Sequence, residues 1–218
     1  LGANLIPAAR RLGGRTVVTL HDYWGFCFKN TLLRNDGSVC SDFEECHYCL
    51  THITDEDGDE LPIRLRRDYV AECLAAADIL VSPSRRLAES YLTAGIGGDR
   101  VRVRSNGVDL DRFKTLDRRT GEGVRFAAIG YLGEHKGVPV LIEAARALAS
   151  DARLNGKWRL RIVGDGHLRR SLAEEIATFA DANVKFSGKL APDEIPRVLA
   201  ETDVLVVASI WPENEPVV

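Results

Sequence analysis

The chain has 218 residues, 45% of them hydrophobic and 28% charged, the composition of an ordinary globular protein of one large domain or two small ones. Its net charge of -3 excludes the basic footprint of a nucleic-acid binder. No apolar run approaches the roughly 20 residues needed to cross a bilayer, and no charged-then-apolar leader opens the chain.

Leu5, Ala8, Ala9 and Leu12 form one helical face, which Gly13-Gly14 ends. Thr16 to Leu20, TVVTL, reads as a β-branched buried strand running into His21-Asp22-Tyr23-Trp24-Gly25. Ligands of open α/β sheets gather at the carboxyl ends of strands, so His21 is a site candidate by position. A histidine satisfied by a neighbouring carbonyl or by Asp22 is the plainer reading.

An insertion at about 25–60 follows, with little periodicity. Asn35-Asp36-Gly37 is expected to be a tight hairpin turn between TLLR and SVC. The acidic run Thr54 to Glu60 reads as a solvated loop, without the spacing of an EF-hand calcium site. Cys27, Cys40, Cys46 and Cys49 lie in the insertion, the last two as a C-x-x-C. Four thiolates can close a tetrahedral zinc site, and a metal would give a core-poor segment its shape. Their spacing is irregular, so disulfides and unligated thiols stand beside zinc as alternatives.

A helix over 61–76 is expected to turn Leu65, Tyr69, Ala71, Cys73 and Leu74 inward. A strand at Asp78–Ser82, a helix opened by Pro83-Ser84 and a short strand at Val101–Arg104 come next. Residues 110–123 lose apolar periodicity, which places a domain boundary there and divides the chain into 1–108 and 109–218.

Val124–Ile129 is then a strand ending at Gly130. Gly133 and Gly137 break the following loop, Pro139 suits the first turn of a helix, and Val138, Leu141, Ala144, Ala145 and Leu148 form its buried face. A helix opening on such a turn points unpaired N–H groups at an anion, and Lys136 adds a full charge, which favours a phosphate or diphosphate. The plain alternative is a solvated surface lysine. Trp158–Ile162 is a strand ending in Gly164-Asp165-Gly166, where Arg169 in place of a third glycine argues against NAD. A helix (168–180), a strand (184–188), a helix (193–200) and a strand (203–208) complete the alternation, which implies a parallel sheet covered on both faces. Ser209 to Pro216 gathers Trp211, Glu213 and Glu215 in a loop with prolines on both sides. Its carboxylates can accept hydrogen bonds from sugar hydroxyls, or it is a polar surface turn.

TLHDYW at Thr19–Trp24, SNGVDLDRF at Ser105–Phe113 and IGYLGEHKGVPVLIEA at Ile129–Ala144 stand in register with three further segments. These are RIVGDGHL at Arg161–Leu168, FSGKL at Phe186–Leu190 and SIWPENEPVV at Ser209–Val218. Through them, over almost its whole length, the chain resembles a retaining glycosyltransferase of family 4 (group 1). The resemblance implies an α/β fold of two Rossmann-like parallel-sheet lobes, the GT-B architecture, both incomplete. Residues 1–108 would be the end of an acceptor-side domain and 109–218 a truncated donor-binding domain, with a cleft between them faced by His21, Lys136 and Glu213. The chain has no Met and ends at Val217-Val218 without a closing element, so it reads as a fragment cut at both ends and inactive alone.

The implied reaction moves a sugar from a UDP-, GDP- or ADP-sugar to a hydroxyl of a glycan or lipid-linked acceptor, with no metal in catalysis. The implied setting is cytoplasmic polysaccharide or glycolipid synthesis, with peripheral association at the inner membrane face. Carried over by position, Lys136 pairs with the donor diphosphate, Gly130, Tyr131 and Gly164 lie along the donor, and Lys189-Leu190 flank the base. Glu213, first glutamate of the E-x7-E motif, contacts the donor sugar, while Asn214 and Glu215 bring backbone against sugar and phosphate. His21 faces the reacting sugar, with no general-base role assigned. Two departures stand out: Tyr131 occupies the place of the family's arginine, and the motif's second glutamate would fall beyond Val218. A nucleotide-sugar 2-epimerase shares the two-domain architecture. A non-catalytic nucleotide-sugar binder is the other alternative, with Tyr131 as its sign.

Overall fold

The computed structural model describes every residue except Leu1, Glu44, Glu45, Glu56, 114–120, 180–182 and 216–218. The chain forms two compact units, residues 1–107 together with 211–217, and residues 108–210. A division at 108/109 would leave Trp211 to Glu215 in the second unit, whereas the structure packs them in the first. Half of the 110–123 stretch, residues 114–120, lies outside the described residues.

The first unit holds α1 (Leu5–Arg11), β1 (Val17–Thr19), β2 (His52–Thr54), β3 (Glu60–Pro62), α2 (Ile63–Ala75), β4 (Ile79–Ser82), α3 (Arg85–Thr93) and β5 (Val101–Val103). β1, β4 and β5 make a parallel sheet in that order. The foot of the sheet is tied by Asp78, whose Oδ2 accepts the backbone N–H of Thr16 at 2.8 Å and its hydroxyl at 3.2 Å. Those bonds, the backbone one first, hold the Asp78 carboxyl below the usual carboxylate range. Ser84 caps α3 by accepting the N–H of Leu87 at 3.3 Å. Leu20, Tyr23, Phe26, Leu74, Leu80, Leu87 and Tyr91 are the centre of the core.

In the insertion, Leu33 and Val39 bridge antiparallel around Asn35-Asp36-Gly37, with Gly37 at φ 83°. That is the expected hairpin. The acidic run is more ordered than its composition suggests, because β2 and β3 pair antiparallel on either side of it. Asp55 closes the turn by accepting the N–H groups of Asp57 at 3.1 Å and Asp59 at 2.9 Å. Only Ile53 and Leu61 supply apolar alternation there, too little for the sequence to signal strands.

The second unit holds β6 (Val124–Ile129), α4 (Val138–Ser150), β7 (Trp158–Val163), α5 (Arg169–Ala177), β8 (Val184–Gly188), α6 (Ile195–Ala200) and β9 (Val204–Leu205). Its sheet is parallel throughout, in the order β8-β7-β6-β9. Leu141, Ile142 and Ala145 of α4 and Leu172 and Ile176 of α5 cover one face, and Val198 of α6 packs on Ala127 and Val163 of the other. The strand expected at 203–208 is shorter than its apolar run. It pairs with β6 only at Val204-Leu205, and as an edge strand it leaves Val204, Leu205 and Val207 exposed rather than buried. Both units are thus α/β with parallel sheets.

Candidate functional site

In the second unit, the loops leaving β6, β7 and β8 enclose an open cavity of about 610 Å³ lined by Gly130, Tyr131, Gly164, Lys189 and Leu190, among others. Adjacent parallel strands deliver their loops side by side, so residues far apart in sequence meet at the carboxyl edge of the sheet. The β6 and β7 loops touch backbone to backbone: a Cβ on Gly164, at φ 141°, would lie 1.7 Å from the carbonyl oxygen of Gly130. A side chain at 164 would therefore push the two loops apart and reshape the cavity floor.

Lys136 ends a single helical turn, Glu134–Lys136, and is followed by Gly137, which starts α4 in the left-handed region at φ 65°. A Cβ on Gly137 would lie 1.8 Å from the carbonyl oxygen of Ala208, so the start of α4 is pressed against the segment after β9. Ile210 N–H donates to the carbonyl of His135 at 3.0 Å and holds that contact. Lys136 is half-buried beside the cavity rather than one of the residues lining it.

Tyr131 is 48% exposed and stands between two imidazoles. Its ring stacks on His135 with centroids 5.9 Å apart, and its hydroxyl lies 3.0 Å from Nδ1 of His167. The other ring nitrogen of His167, Nε2, is 2.7 Å from Oε2 of Glu134. The Glu134 carboxyl is held below its ordinary range by its own backbone N–H first and by His167 next. His167 is absent from the residues singled out in the sequence. The signal for it was topological: His135 and His167 follow two strands that pair as neighbours in a parallel sheet.

In the first unit, β1 delivers the loop from His21 to Phe26. Tyr91 of α3 fixes it, its hydroxyl donating to the carbonyl of Asp22 at 2.9 Å and accepting the N–H of Gly25 at 3.0 Å. Burial pushes the Asp22 carboxyl above its ordinary range, and its Oδ1 accepts the N–H of Trp24 at 2.7 Å. The segment Trp211–Glu215 lies on the same loop. Tyr23 donates to the carbonyl of Pro212 at 3.1 Å and meets Trp211 edge-on with centroids 6.3 Å apart. Trp211 Nε1–H donates to Glu213 Oε1 at 2.9 Å, and Glu215 Oε2 accepts the N–H of Asn106 at 2.6 Å.

Asn214 Nδ2 donates to the carbonyl of His21 at 2.7 Å. Because a carbonyl only accepts, the amide orientation is settled, and Oδ1 of Asn214 is left buried with no hydrogen-bond partner among the described residues. His21, Glu213, Asn214 and Glu215 are thus gathered in the first unit, and Gly130, Tyr131, Lys136, Gly164, Lys189 and Leu190 in the second.

The four insertion cysteines, Cys27, Cys40, Cys46 and Cys49, all border one small cavity of about 30 Å³ and all are free thiols. Among the described residues, no three His, Cys, Asp or Glu side chains are grouped closely enough to hold a metal ion. The fold thus brings the four cysteines around one small cavity. Cys73 is buried in α2. Among the described residues, no helix is long and apolar enough to cross a membrane.

No curated protein matches the chain in sequence. Among solved structures, HepE of Anabaena in complex with UDP superposes with a TM-score of 0.63 at 18% identity, over 97% of this chain and 52% of HepE. The pneumococcal O-GlcNAc transferase GtfA in complex with UDP and GlcNAc superposes at 0.59 with 14% identity, over 95% of this chain and 35% of GtfA. OtsA without ligand gives 0.64 at 12% identity, over 95% of this chain and 50% of OtsA. The chain thus spans about half or less of the length of structures such as these, and it shares their fold, the GT-B architecture. Residues 1–112 match the family Glycosyltransferase Family 4, and residues 116–218 match Glycosyl transferases group 1. With one family matched over the first half and the other over the second, the chain belongs to the group 1, family 4 glycosyltransferases.

Proposed function

We propose that this chain is the part of a retaining glycosyltransferase that holds a nucleotide-sugar donor, moving its sugar to a hydroxyl of a glycan or lipid-linked acceptor in polysaccharide or glycolipid synthesis. The observation that carries the reading is the cavity at the carboxyl ends of β6, β7 and β8, with a floor of bare backbone at Gly130 and Gly164. Glycines let a diphosphate approach the main chain closely, and a helix start such as that of α4 favours negative charge. Lys136 stands at that helix start, and its ammonium opposes the charge that grows on the diphosphate as the sugar departs. Lys189 and Leu190 form the wall where a base would lie.

In the first unit, the buried and unpartnered Oδ1 of Asn214 is an acceptor waiting for a hydroxyl, which a donor sugar carries. His21 is fixed beside it by the Asn214 amide, and Glu213 is oriented by the indole of Trp211. HepE and GtfA carry UDP, so a UDP-sugar is the first donor to test, with GDP- and ADP-sugars after it.

Calorimetry of the intact protein with UDP tests the reading. Lys136→Ala should weaken binding about tenfold or more, the worth of one charged hydrogen bond. Equal affinity of variant and parent would take Lys136 out of the site. Release of nucleoside diphosphate in the presence of acceptor separates transfer from a 2-epimerase, which changes the sugar without releasing it, and from a binder that does no chemistry.

A further inference from the structure

Tyr131, His167 and Glu134 form a chain of hydrogen bonds at the rim of the cavity, in which His167 is held through both ring nitrogens. Tautomer chemistry gives this chain two states. Glu134 is ionised and only accepts, so it takes the proton on Nε2 in both. When the imidazole is neutral, Nδ1 carries a lone pair, the Tyr131 hydroxyl must donate to it, and only oxygen lone pairs are left to face outward. When the ring is protonated, Nδ1–H donates to the tyrosine oxygen, and the hydroxyl proton is released to another acceptor.

We propose that His167 is a positioning residue whose protonation turns Tyr131 from an acceptor into a donor toward the diphosphate of a nucleotide sugar in this cavity. The inference rests on the donor-binding reading above and adds to it a dependence on pH. Binding of the anion and uptake of one proton by His167 are then linked, and each strengthens the other. Binding should therefore be tighter at lower pH. Beside Glu134, the β6 loop carries His135, which stacks on Tyr131, and Lys136, and the β7 loop carries Asp165. Arg169, at the start of α5, lies 3.6 Å from Asp165. His135 is the other imidazole beside Tyr131, so its variant is the control.

UDP-glucose is the probe, because its diphosphate is esterified at both ends and does not itself titrate near neutrality. Calorimetry on the intact protein at about pH 6 and about pH 8 should show about fivefold tighter binding at the lower pH, the worth of one ordinary hydrogen bond. Repeating it in buffers of different ionisation enthalpy should show net proton uptake. His167→Gln and Tyr131→Phe should each abolish both effects, and His135→Asn should keep them. The side chains are largely exposed, and circular dichroism checks that each variant is folded. Binding that is equal at the two pH values, or a pH effect that survives in both variants, overturns the role of His167 and leaves the donor site standing. Failure of the parent to bind any nucleotide sugar at either pH overturns the donor site and this inference together.

Discussion

A single hydroxyl holds the loop that carries His21. Tyr91 is fully buried, and its oxygen serves one backbone donor and one backbone acceptor in the turn from Asp22 to Gly25. Burial pushes its phenol well above the ordinary range, so it remains protonated and keeps both bonds across the working pH range. The fit is close enough that a Cβ on Gly25 would lie 2.4 Å from the tyrosine ring. Tyr91→Phe would keep the packing but strand the Gly25 N–H and the Asp22 carbonyl. We expect a loss of about 1–3 kcal/mol, read as a lower denaturant midpoint with an unchanged slope.

At the scale of elements, the insertion is the segment with least core and most chemistry. Cys27, Cys40, Cys46 and Cys49 are part-exposed thiols, whereas Cys73 is buried in α2. Alkylation of the reduced, native protein should therefore add four labels, read by mass spectrometry, and the fifth only in denaturant. Cys46 should be the slowest of the four, since burial raises its thiol above the ordinary range and lowers its thiolate fraction. A resident zinc would instead protect all four.

What the sequence made legible at this scale follows from the physics of each element. The strand Val124–Ile129 and helix Val138–Ser150 were readable because apolar periodicity, Pro139 and Gly137 all point the same way. β9 was overread, since a run of valines and leucines reports apolarity but not which neighbour covers it. The hairpin of β2 and β3 was missed because its turn is stabilised by Asp55 rather than by apolar alternation. His167 was missed for another reason: its partners Tyr131 and Glu134 lie on a different loop, and only the pairing of β6 with β7 brings them together.

At the scale of the molecule, the first unit is discontinuous, built from the start of the chain and from Trp211 onward. The returning segment supplies an amide to the His21 carbonyl, a carbonyl to the Tyr23 hydroxyl and a carboxylate to the Asn106 N–H. A chain ended at Ile210 should lose all three. Hydrogen exchange should then speed up at Asn106 and across residues 21–26, while the protection of β6, β7 and α4 stays as it was. Equal exchange in both chains would mean that the segment merely rests on the loop.

The discontinuity also sets an order of events during synthesis. A ribosome delivers about 5–20 residues each second, from the N-terminus onward. Residues 108–210 form one uninterrupted piece, and the strands β6, β7 and β8 at its centre are all made before Trp211. The earlier unit has been in solution all that time with its loop unlatched, because Trp211, Pro212 and Asn214 are translated only after the whole of that piece. Of the two units, the one that is begun first is therefore the one that is latched second, and a chain stalled between the two crossings would display the bare edge of Tyr23 to whatever chaperone meets it.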